Sequence, residues 1–282
     1  MSGNLLFSLV YLTYRPGGID LLAQSLACQP YMNYELLVID GLLGRPERGE
    51  AAKYLTAHGL PLSYFGPPKA KVYPNTPVNL ANAMNTGALL ARAPWVVYLH
   101  DYSFLPRRAF VALDAALNKY VEQNVMISGV AEIHKTRKPQ LDGDITVWQK
   151  QQPINQRLKH PVVSWIPEEF ENFFCCVPIR FMELTNGIDE RADMHVSWPL
   201  LCMVAQAKIH DWQMKVDRSL LVKQVNHHGW GGSLWHAQSI KSVVPISGVL
   251  AAHFAPTWGS RSENSYDFAS ERQRLLQEKV TA

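Results

Sequence analysis

The sequence lacks several patterns that would assign it at once to a class of protein. Its four cysteines include an adjacent pair and show no CxxC spacing, so neither a zinc knuckle nor a disulfide framework is indicated, and we expect a reducing compartment. It contains no dense run of lysine and arginine, which argues against the basic stripe of a nucleic-acid-binding protein. Solenoid-length repeats and low-complexity segments are also missing from the sequence.

Long apolar runs are missing as well. The N-terminal stretch 1–12 has no basic n-region, and its apolar run is far short of the roughly 20 residues that cross a bilayer. We therefore expect a cytoplasmic protein without a transmembrane segment. The small net charge of +3 still suits a partner that carries anionic phosphates.

The composition that remains is that of a folded α/β protein. With 282 residues and 47% hydrophobic content, the chain can bury a full core. Strand-like and helix-like segments alternate through the first 100 residues, and this order predicts a mostly parallel sheet with helices on both faces. The predicted strands are 5–11, 34–39, 62–65 and 95–100, and the predicted helices begin at Ile19 or cover 47–58 and 78–92.

The second half of the sequence is less regular. We treat the chain as one domain with two parts, 1–130 and 131–282. The polar segment 132–161 is either a functional excursion or a loop. A C-terminal helix over 266–280 either covers a sheet edge or packs on a second subunit, which leaves the oligomeric state open. The other predicted elements are helices over 107–120, 178–184 and 196–206 and strands over 125–130, 170–177 and 213–225.

Two predicted strands end on acidic residues. Asp40 follows the second strand, and Asp101 follows the strand 95–100. Ligands of open α/β sheets bind beyond the carboxyl ends of the strands, so both acids are expected at the ligand-binding edge, beside Thr13, Tyr14 and Arg15. The alternative for each acid is a structural role as a turn or helix cap.

Five short motifs resemble those of the inverting family 2 glycosyltransferases, whose nucleotide-sugar-binding fold is called GT-A. VYLTYRP at 10–16 is similar to that family's T-Y-N-R-P loop, VIDG at 38–41 to V-V-D-D-G-S, NTG at 85–87 to A-R-N-T-G, HDY at 100–102 to D-x-D, and NGIDE at 186–190 to N-G-F-D-E. The motifs stand in the family's order and on the expected elements.

The resemblance implies a GT-A-like, Rossmann-type, mostly parallel sheet flanked by helices, with an irregular acceptor-binding second half. It implies an inverting hexosyl- or pentosyltransferase that moves a sugar from a nucleotide-diphosphate sugar to a hydroxyl of a carbohydrate acceptor. Mn²⁺ or Mg²⁺ is the expected cofactor, because hard cations at phosphates prefer carboxylate oxygen. The implied donor-binding residues are Thr13, Tyr14, Arg15, Asp40, Asn85, His100 and Asp101, and the implied metal ligands are Asp101 and His227.

Inversion also requires a carboxylate that takes the proton of the acceptor hydroxyl. Asp193 is our candidate, with Asp189, Glu190 and His195 as alternatives. The expected acceptor-binding residues are Asp189, Glu190, His195, Trp198 and Trp230.

Each of these residues also has a structural alternative. Asp189 and Glu190 are typical of a cap, the tryptophans of a core, and His227 of a surface turn. The alternative function is a catalytically inactive relative that binds a nucleotide or a glycan.

Overall fold

A computed structural model gives the fold. It describes residues 5–14, 18–30, 33–41, 48–69, 79–134, 174–194, 198–225 and 259–281. The described strands form one eight-stranded sheet in the order β3-β2-β1-β4-β7-β6-β8-β5. They are β1 (Phe7–Thr13), β2 (Tyr34–Asp40), β3 (Leu62–Gly66), β4 (Trp95–His100), β5 (Ser103–Phe104), β6 (Val125–His134), β7 (Phe174–Pro178) and β8 (Gln213–Val225).

Helices cover both faces of this sheet. One hydrophobic cluster contains residues of α1, α2 and α4, and the other contains residues of α3, α5, α6 and α7. The helices are α1 (Ile19–Ala27), α2 (Arg48–Ala57), α3 (Leu80–Leu90), α4 (Ala109–Tyr120), α5 (Ile179–Thr185), α6 (Trp198–Ile209) and α7 (Phe268–Thr281), with a 3₁₀ helix at Glu190–Met194.

The parallel part of the sheet is built from strands that are buried on both faces. Every residue of β1, β2 and β4 is buried, and these strands pair in parallel, as do β2 and β3. Their near-continuous apolar runs are typical of such strands. The predicted mixed α/β fold with a mostly parallel sheet and flanking helices is confirmed.

The small residues of α3 allow this helix to lie close against the sheet, as its sequence predicts. A Cβ atom added at Gly87 would lie 2.3 Å from Cγ1 of Val10 on β1. A methyl group at that position therefore requires the helix or the strand to move.

Several element boundaries differ from the prediction by a few residues, and two of these differences have a clear structural cause. Helix α4 begins at Ala109 rather than at residue 107, because Arg108 has a left-handed φ of 70° that ends the preceding turn. The division of the chain at 130/131 stays a prediction, whereas strand β6 continues to His134, so the irregular segment does not begin at residue 132. The extension follows from parallel pairing with β8 as far as Val225, which local sequence does not encode.

Strand β5 is also absent from the prediction. Its two residues, Ser103 and Phe104, pair antiparallel with β8, and a strand this short has no periodic signal of its own. Among the described residues, no helix is both long and apolar enough to cross a membrane.

Replacing Gly87 with alanine tests the contact between α3 and β1. We expect Gly87→Ala to lower the free energy of unfolding by about 1–3 kcal/mol because it overpacks the core. Gly49→Ala is the matched control, since Gly49 lies in α2 with nothing within 4 Å of an added Cβ, and it should raise stability by up to about 1 kcal/mol. Urea denaturation measures both. If Gly87→Ala is as stable as Gly49→Ala, the close contact between α3 and β1 is contradicted.

Candidate active site

The carboxyl ends of β1, β2 and β4 meet at one edge of the sheet. Thr13 is in register with Asp40 on β2, and Gly41 donates its N–H to the Thr13 carbonyl oxygen at 2.7 Å. On the other side of β1, Asp101 donates its N–H to the Leu12 carbonyl oxygen at 2.8 Å. The two acids therefore flank the end of β1, as the strand order predicts.

Asp101 is held in a compact turn after β4. Its side chain is 1% exposed, and Oδ2 accepts the Tyr14 N–H at 3.4 Å. The next residue, Tyr102, has a left-handed φ of 57° and donates its N–H to the Tyr11 hydroxyl at 3.3 Å. Burial, and then the charge of Asp101, raise the pKa of Tyr11, so the phenol remains protonated and is a fixed hydrogen-bonding group beside this acid. His100, 6% exposed, lies at the end of β4.

Asp40 forms an ion pair that the sequence analysis missed. Its Oδ2 lies 3.1 Å from Nε of Arg48, the first residue of α2. A basic residue near an acid eight positions earlier is a weak signal in a sequence, because the connecting residues do not determine whether the side chains meet.

The NTG and NGIDE motifs contact one another. The Asn85 side chain on α3 donates to the Ile188 carbonyl oxygen at 2.7 Å and accepts the Ile188 N–H at 2.8 Å. Asn85 is fully buried, and Gly187 lies so close that a Cβ added there would be 2.7 Å from the Asn85 Oδ1. These hydrogen bonds are internal to the protein. The predicted role of Asn85 in binding the nucleotide-sugar donor stays a prediction.

Glu190 extends this cluster toward the C-terminal segment. Its Oε1 accepts hydrogen bonds from the Asn85 amide at 3.2 Å and from the Tyr266 hydroxyl at 2.6 Å. Burial and the Glu190 charge raise the pKa of Tyr266, so Tyr266 remains a hydrogen-bond donor to this carboxylate.

Asp189 is also engaged in internal contacts. Its carboxylate pairs with the Arg191 guanidinium, with Nη2 to Oδ2 at 2.6 Å, and accepts the Glu263 N–H at 3.2 Å. The side chain of Asp189 is 0% exposed. The acceptor-binding roles of Asp189 and Glu190 stay predictions, and the contacts present here join them to the protein itself.

Asp193 lies at the N-terminus of α3. Its Oδ1 accepts the Ala81 N–H at 2.6 Å, and its Oδ2 accepts the Asn82 N–H at 3.1 Å. Burial raises the pKa of Asp193 to about 7, those two backbone N–H groups oppose the rise, and the charge of Glu190 adds to it. A carboxyl with a pKa near neutrality is suited to exchange protons with a substrate.

The sheet topology relates Asp193 to the strand-end acids. Helix α3 follows β3 and leads into β4, and both strands belong to the parallel part of the sheet. The N-terminus of the helix therefore lies toward the edge where the strands end, which is also the edge of Asp40 and Asp101.

Other predicted site residues lie outside this description. Trp198 begins α6, but its side chain is not among those described. Within the described ranges, no group of three or more His, Cys, Asp or Glu side chains could hold a metal ion. Asp101, the predicted metal ligand that lies within these ranges, offers the carboxylate oxygen that a hard cation beside a phosphate prefers. The residues outside the described ranges are Arg15, His195, His227 and Trp230.

Comparison with known proteins connects this geometry to a fold. No family model matches the chain, and neither does any curated protein. Solved structures do match. The mannosyltransferase PcManGT from Pyrobaculum calidifontis, in complex with GDP-Man and Mn²⁺, has a TM-score of 0.57 at 13% identity, covering 100% of this chain and 76% of that one. The chain has the fold of nucleotide-sugar glycosyltransferases.

S. aureus TarS shares this fold. Its structure matches with a TM-score of 0.57 at 10% identity over 98% of this chain, which spans 43% of the length of that structure. TarS 1–349 in complex with UDP-GlcNAc matches with a TM-score of 0.56 at 10% identity, covering 98% of this chain and 71% of that one.

The raised pKa of Asp193 predicts a pH-dependent stability. In the unfolded chain this carboxyl has a pKa near 3.8, against about 7 in the folded protein, so between these values the folded state binds more protons. The free energy of unfolding should therefore fall by up to about 4 kcal/mol as the pH rises from 4 to 7 because of this group. Asp193→Asn removes the effect, and urea denaturation at pH 5 and pH 8 measures it. A difference between variant and wild type that is the same at both pH values would contradict the prediction.

Proposed function

We propose that the protein is an inverting glycosyltransferase that moves a sugar from a nucleoside-diphosphate donor to a hydroxyl of a carbohydrate acceptor. The observation that carries the proposal is the buried carboxyl of Asp193, with a pKa of about 7, at the N-terminus of α3. This helix packs on a sheet in which β2 ends at Asp40 and β4 ends next to Asp101. Structures of the same fold bind UDP-GlcNAc or GDP-Man, which supports a nucleotide sugar as donor.

Different residues take part in proton transfer and in binding of the donor. Asp193 accepts the proton of the acceptor hydroxyl, and the acceptor oxygen forms a bond to the anomeric carbon on the face opposite the diphosphate. The bond from that carbon to the diphosphate breaks, and its electron pair leaves with the nucleoside diphosphate. We assign Thr13, Tyr14 and Asp40 to binding of the nucleoside, and His100 and Asp101 to binding of the diphosphate.

A divalent cation fits this arrangement. Asp101 would hold Mn²⁺ or Mg²⁺ through one carboxylate, and the diphosphate would provide further oxygen ligands. When bound, the cation supplies positive charge that stabilises the leaving diphosphate. The complex of PcManGT with GDP-Man and Mn²⁺ supports this part of the proposal.

A second candidate is a catalytically inactive protein that keeps the fold and binds a nucleotide or a glycan. Both oxygens of Asp193 accept backbone hydrogen bonds at the start of α3, and this geometry is also that of a carboxylate that caps a helix.

Donor binding is the first test of the proposal. We expect one nucleoside diphosphate or nucleotide sugar to raise the melting temperature by several degrees at saturating concentration, with a larger rise when Mn²⁺ or Mg²⁺ is present. Asp101→Asn should remove the increment due to the metal. Differential scanning fluorimetry with a panel of nucleotides measures both effects. No shift with any member of the panel, in well-folded protein, would refute the proposal.

Turnover separates the enzyme from the inactive binder. Asp193→Asn should lower kcat by about 10²–10⁴-fold, because the base is lost, while the donor Kd stays within a few-fold of wild type. Donor hydrolysis or transfer assays and calorimetry provide the two values.

The matched control for this experiment is Glu35→Gln. Glu35 is a buried carboxylate at the opposite end of β2, where it pairs with Arg92 at 2.8 Å. Its replacement should lower stability and leave kcat close to wild type. Equal kcat values for wild type and Asp193→Asn would assign the base to another residue, and no turnover by the wild type would favour the inactive binder.

A further inference from the structure

The ion pair between Asp40 and Arg48 joins a buried side chain to a partly exposed one. The Asp40 side chain is 0% exposed, whereas the Arg48 side chain keeps 30% of its surface exposed. A ligand that approaches the end of β2 therefore meets the guanidinium before it meets the carboxylate.

The position of Arg48 in its helix favours a role in this pair. Arg48 is the first residue of α2, where the helix dipole is positive and a cation is unfavourable. The Asp40 carboxylate, 3.1 Å from Nε, offsets that cost. An acid is the usual choice in a first helical turn, so this placement is not explained by helix stability.

The sheet order separates Arg48 from the residue proposed to hold the diphosphate. Asp40 ends β2 and Asp101 follows β4, with β1 between these two strands. Arg48 lies on the side of β3, since helix α2 contacts that strand and the Arg48 charge acts on Tyr64 there. A donor with its diphosphate at Asp101 can therefore extend its base toward Arg48.

We propose that Arg48, oriented by Asp40, selects the base of the donor by donating a hydrogen bond to an exocyclic carbonyl oxygen. Uracil carries such an oxygen at position 4, and hypoxanthine and guanine carry one at position 6. Cytosine and adenine carry an amino group at the same positions. Asp40 is then a positioning residue that acts through the guanidinium. This inference rests on the proposed function, since it requires that a nucleotide binds at this edge.

The chemistry of the pair gives the direction of selectivity. A guanidinium has five N–H donors and no acceptor, so an amino group on the base faces a donor with another donor. A site built to hydrogen-bond one group rejects the analogue that lacks it, because its own polar group then loses a partner. Base size is not selected by this contact, so uracil and a 6-oxo purine are both compatible with it.

Two pairs of nucleotides of matched size test the proposal by calorimetry. UDP is compared with CDP, and inosine diphosphate with ADP; the members of each pair differ at the carbonyl position and in the protonation of the adjacent ring nitrogen. In the wild type, UDP should bind at least about tenfold more tightly than CDP if the pyrimidine nucleotides bind, and inosine diphosphate at least about tenfold more tightly than ADP if the purine nucleotides bind. Arg48→Met should reduce this ratio to about 1.

Three further variants separate selectivity from stability. Asp40→Asn keeps Arg48 but loses its charged partner, so the ratio should also fall. Asp40→Asn combined with Arg48→Met leaves no unpaired buried charge and serves if Arg48→Met alone does not fold. Arg92→Met is the matched control. Arg92 pairs with the buried carboxylate of Glu35 at the opposite end of β2, so its replacement should leave the ratio unchanged.

The outcomes distinguish this inference from the proposed function. If no nucleotide binds the wild type, the proposed function and this inference both fail. If nucleotides bind but the oxo and amino members bind equally, the role of Arg48 is refuted while the proposed function stands. The same conclusion follows if the variant without Arg48 retains the wild-type ratio, or if the control Arg92→Met loses it.

Discussion

The pair of hydrogen bonds between the Asn85 side chain and the Ile188 backbone joins helix α3 to the segment that carries the candidate base. Asn85 lies on α3, which is held against β1 by the close approach of Gly87. Through Ile188, the same helix holds the segment that contains Glu190 and Asp193. A buried amide that lost these partners would leave polar groups unsatisfied at large cost, so the position of the segment from Ile188 to Asp193 relative to α3 depends on this contact.

The acids at the candidate site are stabilised by different means, and these differences assign them different chemistry. Asp40 has a guanidinium beside it, and Asp101 accepts a backbone N–H in a turn of left-handed conformation. Asp193 accepts two backbone N–H groups at a helix N-terminus, and burial is the largest influence on its pKa. Asp193, whose pKa burial raises to about 7, is therefore suited to proton transfer.

Local sequence predicted the parallel half of the sheet well, because strands buried on both faces appear as continuous apolar runs. Strand β4 was predicted at 95–100 and is present at Trp95–His100. Prediction was wrong where a partner strand decides the structure. Ser103–Phe104 form a strand only because β8 pairs with them, and β6 extends past 130 for the same reason.

The sequence by itself determined the order of elements, the burial of the strands and the acids at the strand ends, since these follow from apolar periodicity and from residues next to one another in the chain. The tertiary structure alone decided which polar groups meet. Asp193 contacts Ala81 across 112 positions and Asn85 contacts Ile188 across 103. Such contacts, like the pairing of Arg48 with Asp40, depend on how helices and strands pack. A local sequence pattern does not determine which distant side chains meet after packing.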